Sequence, residues 1–287
     1  MLSVRKKMFV ARVLNRGLRS VRRLAGRGMK VQCVRKGIVW DLDLDEGIDL
    51  CIYLMGAYEP RIVRAYSSLI RPGWVVFDIG ANIGAHTLHF ARLVGPSGKV
   101  YAFEPTDYAC EKIRVNLALN PRERSIVDLQ QRFLVADGSE RLPATVFSRW
   151  PVAKKHADLN FEHQGKPERL TGASAITADD FCRISAIQRL DFIKLDVDGH
   201  ELTVLQGFRH NLVRFRPLIL VELAPFVYKD SKADEFDDFV KFFADLGYDF
   251  TEAGSGSPIP SDPVKLRGRI APGSGMNCLL YPPKLQR

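Results

Sequence analysis

The sequence predicts an α/β fold, a doubly wound sheet that is mostly parallel and closes with an antiparallel pair of strands at its C-terminal end. Three observations predict it. The apolar run Val75-Val76-Phe77 leads through Asp78-Ile79 into the glycine turn Gly80-Ala-Asn-Ile-Gly84, as a parallel strand covered on both faces does where it meets a helix. Strand and helix patterns then alternate along the chain. The last two apolar runs, 248–251 and 277–281, have no helix pattern between them, so they pair antiparallel.

Taken in order, residues 38–44 read as a strand and 59–70 as a helix stopped by Arg71-Pro72-Gly73. Strands are expected at 75–79, 100–103, 133–136, 192–195 and 218–221. Helices are expected at 85–93, 107–119, 201–208 and 233–246. Two stretches break the alternation, an insertion at 138–174 and a loop at 254–275, and both are expected over the ligand edge as substrate lids. The insertion carries Trp150, Lys154, Lys155, His156, Asn160, Phe161 and His163, and the loop carries Lys265, Arg267 and Arg269.

The formal charge of +9 is unevenly spread, because twelve of the 42 Lys and Arg precede the first acid, Asp41, leaving 30 basic against 33 acidic residues behind it. That leaves residues 37–287, read as one domain, without the broad basic footprint of a nucleic-acid binder. Residues 1–36 form a basic leader in which Val10, Leu14, Leu18, Val21 and Ala25 fall on one side of a helix, opposite Arg5, Arg12, Arg16, Arg19, Arg23 and Arg27. Such a helix, over residues 1–30, suits an anionic membrane surface, and a docked helix or an organelle presequence has the same pattern. The five cysteines are scattered with no C-x-x-C pair, as free thiols in a reducing, cytoplasmic compartment are.

Ligand chemistry is read from the strand ends. Gly80 and Gly84 open the turn to a close ligand, and Glu104, 20 residues on, stands where an acid accepts hydrogen bonds from ribose hydroxyls. The third glycine of a dinucleotide fingerprint is missing, and Asp78 precedes the turn. That disfavours a nicotinamide oxidoreductase and favours S-adenosylmethionine, whose amino-acid and sulfonium charges suit an acid. A second cluster, Asp196, Asp198, His200 and Glu201, ends the fourth strand, and Glu222 ends the fifth.

Asp78-Ile-Gly-Ala-Asn-Ile-Gly84, Phe103-Glu-Pro105, Asp191 to Glu201 and Arg216 to Glu222, with the run-in Trp40 to Leu44 and Gly56-Ala-Tyr-Glu59, resemble the FkbM-type S-adenosylmethionine-dependent methyltransferases. The resemblance spans residues 38–224. It implies a class I methyltransferase (Rossmann-like) fold and methyl transfer to oxygen on a natural product, glycolipid or glycan acceptor. It also implies cofactor contacts from Asn82 and the turn around it, and adenine contacts from Asp137 and Gly138. Asp198 stands where the family often carries Glu. Asp196 or His200 is the expected base, with Glu201 and Glu222 orienting the acceptor, and a divalent cation at Asp196 is the alternative. The rival readings are a nucleic-acid methyltransferase, whose Asn/Asp-Pro-Pro-Tyr turn is missing here, and a membrane-tethered protein that holds the nucleoside without catalysis.

Overall fold

The computed structural model describes residues 3–153, 165–228 and 234–283. Lys154, Lys155, His156, Asn160, Phe161 and His163, expected in a lid, lie outside the described residues. The centre is a seven-stranded sheet of β1 (Val75–Ile79), β2 (Lys99–Phe103), β3 (Val127–Gln130), β4 (Phe192–Leu195), β5 (Leu218–Leu223), β6 (Asp249–Glu252) and β7 (Met276–Tyr281), in the order β6-β7-β5-β4-β1-β2-β3. All neighbours pair in parallel except β7, which runs antiparallel to both β5 and β6. This is the class I methyltransferase topology, with the reversed strand where 277–281 predicts it.

Alternating side chains of β1 feed two cores. Val76 joins the face covered by α1 (Val4–Leu24), α2 (Gly47–Met55), α3 (Pro60–Ser67), α4 (Thr87–Val94) and α5 (Asp107–Ala118). Phe77 joins the face covered by α6 (Ala178–Ile184), α7 (Glu201–Gln206), α8 (Arg209–Phe215) and α9 (Glu235–Asp245). There Phe77 stacks on Phe208 with centroids 5.8 Å apart, and meets Phe103 and Phe181 edge-on. Burying each such ring is worth about 1.5–3 kcal/mol.

The third strand corrects the sequence reading. The expected strand at 133–136 is replaced in the sheet by Val127–Gln130, and Arg132–Leu134 pairs instead with Ser174–Ile176 outside it. β3 has a neighbour on one side only and is half-buried, so polar Asp128 and Gln130 are tolerated in it, which hides it from a search for apolar runs.

The leader is a helix, but its docked face is not the most apolar one. Val4, Met8, Ala11, Asn15, Leu18 and Arg22 face the body, whereas Val10, Leu14 and Val21 are exposed. Hydrogen bonds explain the choice. Asn15 Nδ2 donates to the Leu44 carbonyl at 2.7 Å and to Asp45 at 3.1 Å, Arg22 Nε donates to the Gly28 carbonyl at 2.7 Å, and Arg19 pairs with Asp45. The Val4 amide donates to the Gly273 carbonyl at 3.0 Å, fixing the first turn of α1 beside the C-terminal edge of the sheet.

Candidate functional site

Strand order reverses between β1 and β4, and beyond their C-terminal ends lies a cavity of about 530 Å³. Gly80 makes the closure between the two strands. Its amide and that of Ala81 both donate to the Phe103 carbonyl at 3.0 Å, and a Cβ at Gly80 would lie 1.9 Å from the Asp196 carbonyl oxygen. Asn82 follows in a left-handed conformation, φ +49°, its amide donating to Glu104 Oε2 at 2.9 Å and its side chain to the Ser148 carbonyl at 2.9 Å. Glu104 Oε1 accepts from the Thr106 amide at 2.9 Å and its hydroxyl at 2.5 Å. A carboxylate offers about four acceptor positions. Three are taken from within, and Glu104 lines the cavity with the remainder. Burial pushes its pKa up, against the pull of the Thr106 and Asn82 hydrogen bonds.

Across the cavity stand Asp196, Asp198, His200 and Glu222. Asp196 receives the Lys194 ammonium at 2.8 Å. Asp198, held left-handed at φ +50° and exposed to the cavity, has its pKa pushed up to about 8 by desolvation from the surrounding protein and by the Asp196 and Glu201 charges. Glu222 is also raised, by burial and then by Asp196 and Glu59. His200 packs edge-on to Phe133, with centroids 5.5 Å apart. Among the described residues no three His, Cys, Asp or Glu side chains are set to hold a metal ion, and the cation already on Asp196 is the Lys194 ammonium.

Five of the expected site residues do not reach the cavity wall. Asp78 is fully buried beneath the floor, with one oxygen accepting from the Thr87 hydroxyl at 2.6 Å and the other without a partner. Gly84 lies behind the turn against Ile113. Glu201 braces its own loop, accepting from the Val197 amide at 3.2 Å, the Gly199 amide at 3.0 Å and the Tyr228 hydroxyl, so both its oxygens serve the fold and it does not line the cavity. Asp137 and Gly138 are exposed, with Asp137 Oδ1 accepting from the Ser139 amide. With β3 ending at Gln130, Arg132, Phe133 and Leu134 are the residues of that segment that reach the cavity. Of the two expected lids, the insertion lines it through Thr145 to Ser148 and Trp150, whereas no residue of 254–275 does. That loop instead anchors the first turn of α1, whose Val4, Lys7, Met8 and Ala11 form part of the wall.

The structure adds residues to which the sequence assigns no role in the site. Glu59, left-handed at φ +47°, accepts from Asn277 Nδ2 at 3.1 Å and lines the cavity beside Tyr58 and His86. Burial and Lys194 hold the His86 pKa well below its usual range. Its 3.8 Å approach to Glu59 is therefore a neutral contact rather than an ion pair, and its Nδ1 lies 3.2 Å from the Tyr66 hydroxyl. The signal for Lys194 is a lysine inside the four-residue apolar strand Phe192–Leu195.

The profile of the Methyltransferase FkbM domain matches residues 78–250. Among named relatives, the hexuronic acid methyltransferase AglP of Haloferax volcanii is 25% identical over 175 residues, 58% of this chain and 62% of that protein. Methyltransferase sdnD of Sordaria araneosa is 30% identical over 157 residues, 46% of this chain and 59% of that protein. The 2-O-methyltransferase NoeI of Sinorhizobium fredii is 26% identical over 174 residues, 54% of this chain and 66% of that protein. The chain thus spans less than two thirds of the length of each of these relatives.

Proposed function

The chain belongs to the FkbM methyltransferase family, and from that premise we propose that it transfers a methyl group from S-adenosylmethionine to a hydroxyl oxygen of a sugar or other small hydroxylated acceptor. One observation carries the reading: a single cavity has Gly80, Asn82 and Glu104 on one side and Asp196, Asp198, His200 and Glu222 on the other. The residues fit the cofactor. Glu104 keeps acceptor capacity for a ribose hydroxyl, and five carboxylates, Glu59, Glu104, Asp196, Asp198 and Glu222, line the cavity against three cations, Lys7, Arg132 and Lys194, a surplus that suits a sulfonium and an ammonium. The named relatives support an oxygen acceptor, since AglP acts on hexuronic acid and NoeI is a 2-O-methyltransferase.

When bound, the cofactor supplies the electrophilic methyl group. The chain has to hold an acceptor oxygen in line with it and take the hydroxyl proton. Of the groups at hand, Asp196 is held by Lys194, whereas Asp198, raised toward neutrality, is matched to accepting a proton near its own pKa. In this reading Asp198 takes the proton, and Asp196, His200 and Glu222 position the acceptor. This reading routes no step through a metal ion, so a chelator is expected to leave turnover unchanged, and a loss of turnover would favour the divalent cation at Asp196.

Incubation with labelled S-adenosylmethionine and fractionated extract tests the activity. With the acceptor so found, turnover should rise with pH and level off above about 8, because the base must be unprotonated. Asp198→Asn should lose about 100-fold or more in kcat and flatten that profile, while S-adenosylhomocysteine affinity by calorimetry stays within a few-fold. An unchanged profile in Asp198→Asn removes it as the base, and Asp196→Ala and His200→Ala then decide between the other two groups. Asp137→Ala and Gly138→Ala should leave S-adenosylhomocysteine affinity as it is, because neither residue lines the cavity. A marked loss in either would restore them to the adenine side.

A further inference from the structure

α1 carries two opposed faces. One docks through Val4, Met8, Ala11, Asn15, Leu18 and Arg22. The other exposes Val10, Val13, Leu14, Val21 and Leu24 in one arc of about 100° at helical spacing; Val21 is 64% and Leu24 89% exposed. Phe9, 67% exposed, borders that arc on the side where Arg5, Arg16 and Arg23 run, Lys7 lies on the other side, and exposed Lys6 falls within the arc at its N-terminal end. The helix has eight Lys and Arg and no acid. A fully solvated helix has no reason to collect five exposed aliphatic side chains along one line, and a helix that docks only on its own body needs a single apolar face.

We propose that this outer face of α1 rests on an anionic lipid surface, its aliphatic row entering the headgroup boundary and its arginines meeting lipid phosphates. Charge chooses the occupant. A second copy laid on the same face would bring two acid-free rows of cations together, and a nucleic acid would meet the arginines but leave the aliphatic row without a partner. An anionic bilayer satisfies both rows at once. No helix among the described residues is long and apolar enough to cross the bilayer, so the contact is peripheral. Because Val4, Lys7, Met8 and Ala11 of the same helix wall the cavity, the contact holds the cavity beside the lipid headgroups. With the methyl-transfer reading, on which this step alone rests, the acceptor is the hydroxylated headgroup of an amphiphile.

Flotation of the full chain with vesicles tests the surface. The chain should float with phosphatidylcholine vesicles containing phosphatidylglycerol and stay down with phosphatidylcholine alone or in high salt. Arg16→Gln with Arg23→Gln should cut partitioning by about tenfold or more, since each surface cation is worth about 1 kcal/mol. Leu14→Glu with Val21→Glu should abolish it. Both pairs are exposed and lie off the cavity wall, so S-adenosylhomocysteine binding should persist in them as proof of folding. Equal flotation of these variants overturns the proposal, as does sedimentation of the wild type as an α1-dependent dimer or salt-sensitive RNA binding without vesicle binding. For the acceptor, label from S-adenosylmethionine should enter the solvent-extractable lipid fraction, and label confined to the aqueous fraction overturns the headgroup assignment. Label in no fraction would count against the methyl-transfer reading and leave the flotation result standing.

Discussion

Lys194→Met is expected to cost about 3–5 kcal/mol of folding stability, the range seen when one partner of a buried charge pair is removed. Burial alone would lower the Lys194 pKa, but Asp196, Asp78 and Glu59 outweigh it and leave it raised, so the ammonium is neutralising three acids. Without it, the fully buried Asp78 keeps only the Thr87 hydroxyl. The sign of the pH dependence follows. Burial already raises the Asp78 and Glu59 carboxyls, and their folded forms bind protons more tightly than the unfolded chain does. Their contribution is whole below the unfolded carboxylate range, near pH 4, and is lost as pH rises through the raised folded values. Losing Lys194 raises those values further, so the melting temperature of the variant should fall away from wild type increasingly between about pH 5 and 8. Thermal melts over that range check it, with a gap of roughly 10 °C expected at neutral pH. Adding Asp196→Asn should recover part of the loss, because it removes one of the stranded charges. A single variant within about 2 °C of wild type at every pH would mean the floor is open to water and the lysine is not structural.

How far the site can be read in advance depends on where each residue's role is decided. β1 and β4 are legible because strands covered on both faces must be apolar, and Gly80 is legible because the turn that follows admits no side chain. The acids at 196, 198 and 222 are legible because strand ends at a switch point face one cavity. Glu201 looks the same in sequence, and only the Tyr228 hydroxyl and two loop amides, brought in by tertiary packing, show that its oxygens turn to the fold rather than to the cavity. Asp137 and Gly138 lie off the cavity wall for a single reason: a half-polar edge strand shifts the third strand to Val127–Gln130, and with it the residues that line the cavity. Glu59, His86 and the inner face of α1 come from segments outside the β1 and β4 motifs, so no spacing rule links them to the site. The docked face of α1 could not be ranked by hydropathy at all, since Asn15 and Arg22 find carbonyl partners only in the fold.

Gly80→Ala should combine a fold defect with loss of cofactor binding. The added methyl would lie 1.9 Å from the Asp196 carbonyl oxygen and 2.9 Å from its carbon, both backbone atoms that no side-chain rotation can clear. A non-glycine residue at φ +82° also carries strain of about 1–3 kcal/mol, and overpacking adds about as much again. Relief requires the end of β1 to part from β4, which breaks the hydrogen bond from the Asp196 amide to the Ile79 carbonyl at 3.1 Å. That movement separates the Asn82 and Glu104 cradle from Asp196 and Asp198, the two halves the proposed reaction needs together. Gly95→Ala is the control, because that glycine also has positive φ, +64°, but nothing lies within 4 Å of the added carbon. With ψ −172° that backbone is also one glycine favours, so the variant should carry a comparable strain of about 1–3 kcal/mol without the collision, and leave binding intact. Thermal melts and S-adenosylhomocysteine calorimetry on both variants separate strain from collision. If Gly80→Ala proves no worse than Gly95→Ala in either measurement, the strand ends do not meet as described, and the cavity they close would have to be formed by other residues.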